Sequence, residues 1–440
     1  MRDTPIFNSP ELTTAQRDFL RVLRAAANGT APGDAPADWA ALLGLAAAHQ
    51  VDGYLYTRVH TWEAPFQPPA ALMTRWRSAF LGEAARYTRV ALQTRDLLAA
   101  LHAAGVGVIP LKGAWLAERV YEDGACRPMS DIDLLVSAES LPRARAAVES
   151  IGYATTDFYM DEARSKHVRY RKADAPLPLE LHWRLWHENS ENIDEPDPAH
   201  VWTGLREERL HGVPVLVFPP ERQLAHLAQH ILAHGLTVPL KAYLDLILLI
   251  QRYAPTMELA RLEDEARAWR VAFGTKFVLR VAGDIGEIPL PPALAAYVNM
   301  GGQFEEARRA ALTAALQLTG ESKRLTPSLQ ACRGASLLAR LRIGITRVFL
   351  APADIRSGHP QAVRRWGLAG GYLCRGADLL RRHGQALRKL SGGGDAVDAH
   401  FANYAARRAL SAWIRAKEGR QPPATGCSPA TRSAATPPAP

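Results

Sequence analysis

Two aspartates separated by a single residue, Asp131 and Asp133, have the type and spacing that suit metal chemistry. The alternation of polar and apolar residues over 131–134, within the segment 130–136, predicts a β-strand, and residues two apart on a strand face the same side of a sheet. Converging carboxylates repel each other unless a cation lies between them, and their oxygens suit Mg²⁺ or Mn²⁺. The spacing therefore predicts a divalent-metal site able to clamp the oxygens of a phosphoryl displacement. The alternative is a solvated strand end.

A lysine and a glycine precede this pair, between a predicted short strand at 106–111 and a predicted helix at 113–121. Backbone N–H groups at a helix N-terminus attract anions, and a glycine lets a phosphate approach the backbone closely. Lys112 and Gly113 are therefore candidate phosphate-binding residues.

A third carboxylate follows in a predicted strand pair, 167–172 and 177–184, which the turn Ala-Asp-Ala-Pro joins. Glu180 and His182 alternate with leucines, so both should lie on one face of the second strand. Glu180 could supply a third carboxylate to the metal site. A phosphate-binding turn, two acids on one strand and one acid on the next are the parts that a nucleotidyl transfer needs.

These candidate residues lie in an α+β unit with a small mixed β-sheet, which helical regions flank on its N-terminal and C-terminal sides. Apolar residues recur at three and four spacings in the flanking regions, and a Pro/Ser/Thr/Ala-rich segment ends the chain. The predicted divisions are a flexible tail at 1–12, a helical region at 13–104, the α+β core at 105–218, a helical domain at 219–332, a basic helical region at 333–416 and a disordered tail at 417–440.

Three segments together resemble a known family: Leu111-Lys-Gly-Ala114, Arg127-Pro-Met-Ser-Asp-Ile-Asp-Leu-Leu-Val136 and Glu180-Leu-His-Trp183. They resemble the uncharacterised bacterial nucleotidyltransferase family of the DNA polymerase β-type superfamily. In that superfamily a glycine turn is followed by D-x-D on a strand and by a later carboxylate. The chain differs from many members in having Lys-Gly-Ala where they have Gly-Ser.

The resemblance implies a nucleotidyltransferase core that transfers an NMP group from an NTP donor to an acceptor hydroxyl and releases pyrophosphate. It implies that Asp131, Asp133 and Glu180 are the catalytic residues and the ligands of Mg²⁺ or Mn²⁺. The residues that it implies for nucleotide binding are Lys112, Gly113, Arg127, Ser130 and Lys241. The acceptor stays open among a small molecule, a polysaccharide precursor, a peptide and RNA.

Two other functions remain open. A metal-dependent glycosyltransferase also uses D-x-D to hold a nucleotide diphosphate, but it needs a nucleotide-binding βαβ half before that motif, where 13–104 is predicted to be helical. A non-catalytic relative that binds a nucleotide or a partner is the second alternative, and the presence of all three carboxylates argues against it.

Two of the implied nucleotide ligands also have structural interpretations. Arg127 could pair locally with Asp131 or Glu122. Lys241 lies four residues before Asp245 on a predicted helix, which is the spacing of an intrahelical ion pair.

Three histidines recur every four residues on one predicted helix: His226, His230 and His234. Histidines at this spacing can share a zinc ion, but no H-E-x-x-H glutamate or nearby cysteine completes a tetrahedral set. Polar packing against the α+β core is therefore the favoured interpretation.

The net charge of +9 is concentrated in one stretch, 333–390, which holds twelve basic and two acidic residues. A solvated helical face is favoured there, and contact with an acidic membrane surface or a polyanion is the alternative. Four scattered cysteines suit a reducing compartment. Since the sequence contains neither an export signal nor the roughly 20 apolar residues of a membrane span, we expect a cytoplasmic protein without a transmembrane segment.

Overall fold

The structure is a computed structural model, and it describes residues 12–155, 165–186, 193–316, 352, 355–356, 359–391 and 395–419. The predicted terminal tails lie almost wholly outside these residues, as does the first part of the predicted basic region. The described helices are α1 (Thr14–Ala27), α2 (Trp39–Ala48), α3 (Asp52–Val59), α4 (Ala70–Ala103), α5 (Gly113–Arg119), α6 (Leu141–Ser150), α7 (Pro198–Val201), α8 (Pro220–Ala233), α9 (Lys241–Tyr253), α10 (Leu259–Ala268), α11 (Ala272–Gly286), α12 (Pro292–Tyr297), α13 (Glu305–Leu316), α14 (Pro360–Ser391) and α15 (Asp395–Lys417).

Seven described strands form a five-stranded sheet and a separate hairpin. They are β1 (Ile109–Pro110), β2 (Ile132–Leu135), β3 (Ala154–Thr155), β4 (His167–Arg171), β5 (Leu179–His182), β6 (Arg206–Leu210) and β7 (Val213–Val217). The sheet order is β1-β2-β5-β4-β3, and β6 pairs with β7. Strands β2 and β5 are parallel, whereas the other neighbours in the sheet are antiparallel. This is the small mixed sheet with helical flanks that the sequence predicts, and the α+β class is confirmed.

Two strands are shorter than the sequence predicts. The first predicted strand, 106–111, pairs with β2 only at Ile109 and Pro110, although the backbone N–H of Leu111 still donates to the carbonyl oxygen of Asp133 at 3.0 Å. The strand predicted for 177–184 begins at Leu179, directly after Pro178. The short β3 and the charged β6 are absent from the sequence prediction, since neither carries a clear apolar alternation.

One continuous hydrophobic core joins the flanking helices to the sheet. The helices α8, α9, α10 and α11 pack on one another, and α1 packs on α11. Arg24 of α1 donates to the carbonyl oxygen of Ile285 at 3.2 Å. The backbone N–H of Lys241, the first residue of α9, donates to the carbonyl oxygen of His49 at 3.2 Å. The N-terminal helices therefore help to fix α9, and the predicted domain boundaries stay a prediction.

Among the described helices, none combines the length and the apolar character needed to cross a membrane. Helix α14 carries part of the predicted basic region and exposes three large apolar side chains, those of Trp366, Leu373 and Leu380. A membrane or polyanion contact through 333–390 stays a prediction.

A buried histidine in this core predicts that the protein loses stability in mild acid. His49 is 1% exposed and stacks on Phe19, and burial lowers its pKa to about 4. The unfolded chain, with a histidine pKa near ~6.5, binds a proton first as the pH falls, so this contribution to stability is lost between those two values. We expect His49→Gln to flatten the fall in the denaturation midpoint from pH 7 to about pH 4.5. An unchanged pH dependence would contradict this assignment.

Candidate active site

Asp133 and Glu180 lie side by side in the middle of the sheet. They are register partners on the parallel strands β2 and β5, so their side chains emerge on the same face. Asp133 is 8% exposed and Glu180 is 7% exposed, whereas Ile132 and Leu134 are wholly buried on the opposite face. The two carboxylates are therefore close and shielded from water.

Polar partners hold Asp133 in its charged form. The Nε2 atom of His182 lies 3.0 Å from one carboxylate oxygen, and the Nζ atom of Lys112 lies 3.5 Å from the other. Burial alone would raise the pKa of Asp133, but Lys112 and His182 hold it well below its usual range. Asp133 is the carboxylate around which the other site residues gather.

Asp131 lies in the bend before β2 and is half-buried. Burial raises its pKa, and so do the neighbouring carboxylates of Asp133 and Glu180. The exposed Ser130 donates a hydrogen bond from its hydroxyl to Asp131 at 3.1 Å. The three carboxylates therefore repel one another, and a cation among them would relieve that repulsion.

Glu180 has a cationic partner of its own. Arg169, its register partner on β4, donates to one carboxylate oxygen through both Nε and Nη2. The other oxygen lies 3.4 Å from Nδ1 of His167 and 3.7 Å from Nε2 of His182. Burial would raise the pKa of Glu180, but hydrogen bonds from His182 and Arg169 lower it to about 2.

Three lysines lie beside the carboxylates. Burial, and then the positive charge of Lys112, lower the pKa of the half-buried Lys166. Burial, and then Arg127, lower the pKa of Lys241 to about 8, while Asp131 opposes that shift. Lys112 has a φ of +43°, a backbone region that a residue with a side chain seldom adopts. Three ammonium groups thus surround the acidic cluster.

The structure requires a glycine at position 113 for reasons of packing. A Cβ built on Gly113 would lie 2.7 Å from Nη1 of Arg127 and 2.8 Å from the sulfur of Met129. The Cβ direction at Gly113 is therefore filled by protein side chains, so a larger residue at this position would disturb the packing of Arg127 and Met129. A phosphate contact through the backbone of Gly113 stays a prediction.

Arg127 is buried in an ion pair that the sequence did not reveal. Its Nε and Nη2 atoms donate to the two carboxylate oxygens of Asp245 at 2.8 and 2.7 Å. Tyr121 donates to the same carboxylate at 2.8 Å. The expected local partners of Arg127, Asp131 and Glu122, are thus replaced by a residue of α9. With two guanidinium nitrogens committed to Asp245, Arg127 is better explained as a positioning residue than as a phosphate ligand.

The ion pair predicted between Lys241 and Asp245 does not form among the described contacts. Lys241 donates instead to the carbonyl oxygen of Pro128 at 2.8 Å, because Arg127 and Tyr121 take the carboxylate. Arg86 of α4 donates to the next carbonyl, that of Met129, at 2.8 Å. Helices α4 and α9 therefore fix the segment that leads into Asp131.

Two histidines of α8, His226 and His230, pack among aromatic rings, and His234 is the residue that caps the helix. The ring of His226 contacts those of Phe218, Trp186 and Trp269, and burial lowers the pKa of His226 to about 3. His230 stacks on Trp186 and contacts His234. This arrangement agrees with the packing role that the sequence favours.

Three site residues escape the sequence reasoning: Lys166, His167 and Arg169. The alternation in 167–172 could have shown that His167 and Arg169 share a strand face. Only the register of β4 on β5 shows that this face is the one that carries Glu180. Within the described chain, His167, Glu180 and His182 offer ligand atoms within 4.8 Å of one another, close enough to hold a metal ion.

Comparison with known proteins identifies the family. The model of a family described as uncharacterised nucleotidyltransferase matches residues 35–286, more than half of the chain. A solution structure of the antibiotic-resistance factor ANT(2'')-Ia is 17% identical, with a TM-score of 0.31 over 42% of this chain and 92% of that chain, a likeness too low to support an argument about function. The comparison with curated proteins finds no match. The chain belongs to the family of uncharacterised nucleotidyltransferases, enzymes that by name transfer a nucleotidyl group.

Proposed function

We propose that this nucleotidyltransferase transfers an NMP group from an NTP to an acceptor hydroxyl at the face of the sheet that carries Asp131, Asp133 and Glu180. The observation that supports the proposal is the convergence of three carboxylates; burial, and then repulsion by Asp133 and Glu180, raise the pKa of Asp131. Their oxygens suit Mg²⁺ or Mn²⁺, so these residues would hold the ion. When bound, the ion polarises the α-phosphate and neutralises the charge of the leaving pyrophosphate.

The lysines would bind the triphosphate. Lys112 and Lys166 lie close enough to Asp133 to lower the pKa of its carboxyl group. Lys241 interacts electrostatically with Asp131. An ammonium group that now faces a carboxylate can turn to a phosphate oxygen when a nucleotide binds, because both partners are anionic. The exposed Ser130 lies at the edge of the same cluster and offers a hydroxyl.

Arg127 and Gly113 would hold the segment that leads into Asp131 in place, and the side chain of Arg127 would not contact the nucleotide. The pair formed by Arg127 and Asp245 fixes the approach to Asp131, and Gly113 makes room for Arg127. Glu180 would lie beside the acceptor hydroxyl, with Arg169 fixing its orientation.

The proposed function can be tested by identifying the leaving group that the reaction releases. The purified protein, supplied with Mg²⁺, each of the four labelled NTPs and a cell extract as a source of acceptor, should release pyrophosphate and label one extract component. A glycosyltransferase would instead release a nucleoside diphosphate from a sugar donor, and a non-catalytic relative would release neither. Either of those results would overturn the proposal.

Loss of the Lys112 ammonium should weaken the binding of the NTP more than it slows the transfer. A charge-assisted contact contributes about 1.5–3 kcal/mol, so Lys112→Met should raise KM for the NTP roughly 10- to 100-fold. The matched control is Lys172→Met, since Lys172 lies near Tyr153 and Asp174 at another part of the sheet. Equal KM values for the two variants would exclude Lys112 from nucleotide binding.

A further inference from the structure

Helix α14 presents a row of large apolar side chains to solvent. Trp366, Leu373 and Leu380 are 59%, 76% and 69% exposed, and they recur every seven residues. Among the described residues, only Leu81 and Leu92 of α4 are large apolar side chains of comparable exposure. Single exposed apolar residues are common on protein surfaces, but a row of three on one helix marks a contact surface.

Tight packing on the other side of the helix turns this row outward. A Cβ built on Gly371 would lie 2.5 Å from the side chain of Ile355 and 2.6 Å from that of Val363, so this side lies against the preceding part of the chain. Successive residues of an α-helix are about 100° apart around its axis, so Leu373, two residues further on, points in nearly the opposite direction. Leu380 lies about two turns beyond Leu373 and shares its face.

Trp366 lies at a break in this helix. It has a φ of −131°, and Gly367 after it has a φ of +67°. The guanidinium of Arg365 lies over the indole, 5.2 Å from the ring centroid. Tryptophan side chains accumulate at the boundary between water and lipid, because the ring is apolar and its N–H is polar. An indole next to a guanidinium can therefore enter a lipid surface while the charge stays among the headgroups.

The same helix is strongly basic. Its sequence contains seven arginine and lysine residues and one acid, Asp378. Arg364 and Arg365 are exposed just before Trp366, and Arg381 is exposed just after Leu380. A bilayer of anionic lipids complements both properties, since it takes up the apolar side chains and balances the positive charge.

We propose that α14 lies on an anionic membrane surface, with Trp366, Leu373 and Leu380 inserted among the lipid headgroups. The arginines of the helix then contact the lipid phosphates. This contact is peripheral and uses none of the residues of the nucleotidyltransferase site.

Charge argues against the other occupants of this face. The two longest segments outside the described residues are themselves basic: 317–351 contains six basic residues and one acid, and 420–440 contains two basic residues and no acid. A second copy of α14 would bring arginines against arginines, which is unfavourable. Single-stranded RNA would balance the charge, but its bases stack on aromatic rings and gain little from Leu373 and Leu380.

Vesicle sedimentation with the full-length protein tests the proposal. The protein should bind vesicles of phosphatidylcholine and phosphatidylglycerol at least ~10-fold more tightly than vesicles of phosphatidylcholine alone. Leu373→Gln combined with Leu380→Gln should weaken binding to the anionic vesicles at least ~10-fold, because both side chains lose their apolar contact with the lipid. Leu81→Gln combined with Leu92→Gln, the same change at exposed positions of α4, should leave binding unchanged.

Two further measurements separate the possible occupants. Sedimentation velocity without vesicles should give the same oligomeric state for the wild type and the α14 leucine variant, whereas a wild-type dimer that this variant dissociates would assign the face to a second copy. Binding of single-stranded RNA together with no binding to anionic vesicles would assign the basic helix to RNA. Either result would overturn the inference, and so would equal binding to the two kinds of vesicle or full binding by the α14 leucine variant.

Discussion

Replacing Asp133 with asparagine should lower the rate of nucleotidyl transfer at least ~1,000-fold, because a bound metal ion contributes several kcal/mol to the transition state. Asp133 is the carboxylate that both Lys112 and His182 contact, and its register partner is Glu180. The amide keeps the shape of the side chain but removes the charge that would hold an ion. Single-turnover measurement of pyrophosphate release, at saturating NTP, would report the change.

The matched control is an aspartate that lies outside the site. Asp96 is exposed and pairs only with its neighbour Arg95 among the described contacts, so Asp96→Asn should retain full activity. Circular dichroism of both variants would show whether the sheet is intact. A folded Asp133→Asn protein with nearly normal transfer would exclude this face of the sheet as the reaction site.

Replacing Arg127 with methionine should lower the free energy of unfolding by about 3–5 kcal/mol, the usual cost of breaking a buried ion pair from one side. Arg127 is 6% exposed and Asp245 is 1% exposed. Without the guanidinium, the carboxylate of Asp245 keeps only the hydroxyl of Tyr121 as the partner shown for it. Denaturant titration would measure the loss.

Two further variants test whether the loss of stability comes from leaving a buried charge without its partner. Arg127→Met combined with Asp245→Leu removes both charges and should recover much of the lost stability, since apolar replacements of a buried pair are often neutral. Arg95→Met removes an exposed partner and should cost less than about 1 kcal/mol. An Arg127→Met protein of normal stability that no longer binds NTP would restore the interpretation of Arg127 as a phosphate ligand.

The sequence alone was sufficient for the local parts of the site. Two-residue spacing put Asp131 beside Asp133 and Glu180 beside His182, because side chains alternate along any strand. The apolar alternation around them predicted two strands that the structure contains, β2 and β5. The combination of these segments also predicted the family, which the match over 35–286 confirms.

The sequence could not show which strands are neighbours. Asp133 meets Glu180 and His167 meets His182 only through the registers of β2, β4 and β5, and those registers depend on long-range pairing. His167 and Arg169 were therefore missed, although the alternation in β4 was visible.

The tertiary structure decided which charged side chains pair with each other. The four-residue spacing along a helix suggested an ion pair between Lys241 and Asp245. In the structure the carboxylate of Asp245 pairs instead with Arg127, which lies in a loop more than a hundred residues away in the chain. Asp245 is nearly inaccessible to water, and burial of a charge is tolerated only where the fold brings an opposite charge with good geometry. Sequence determines the side chains that could meet, but burial and long-range packing select the pairs that do.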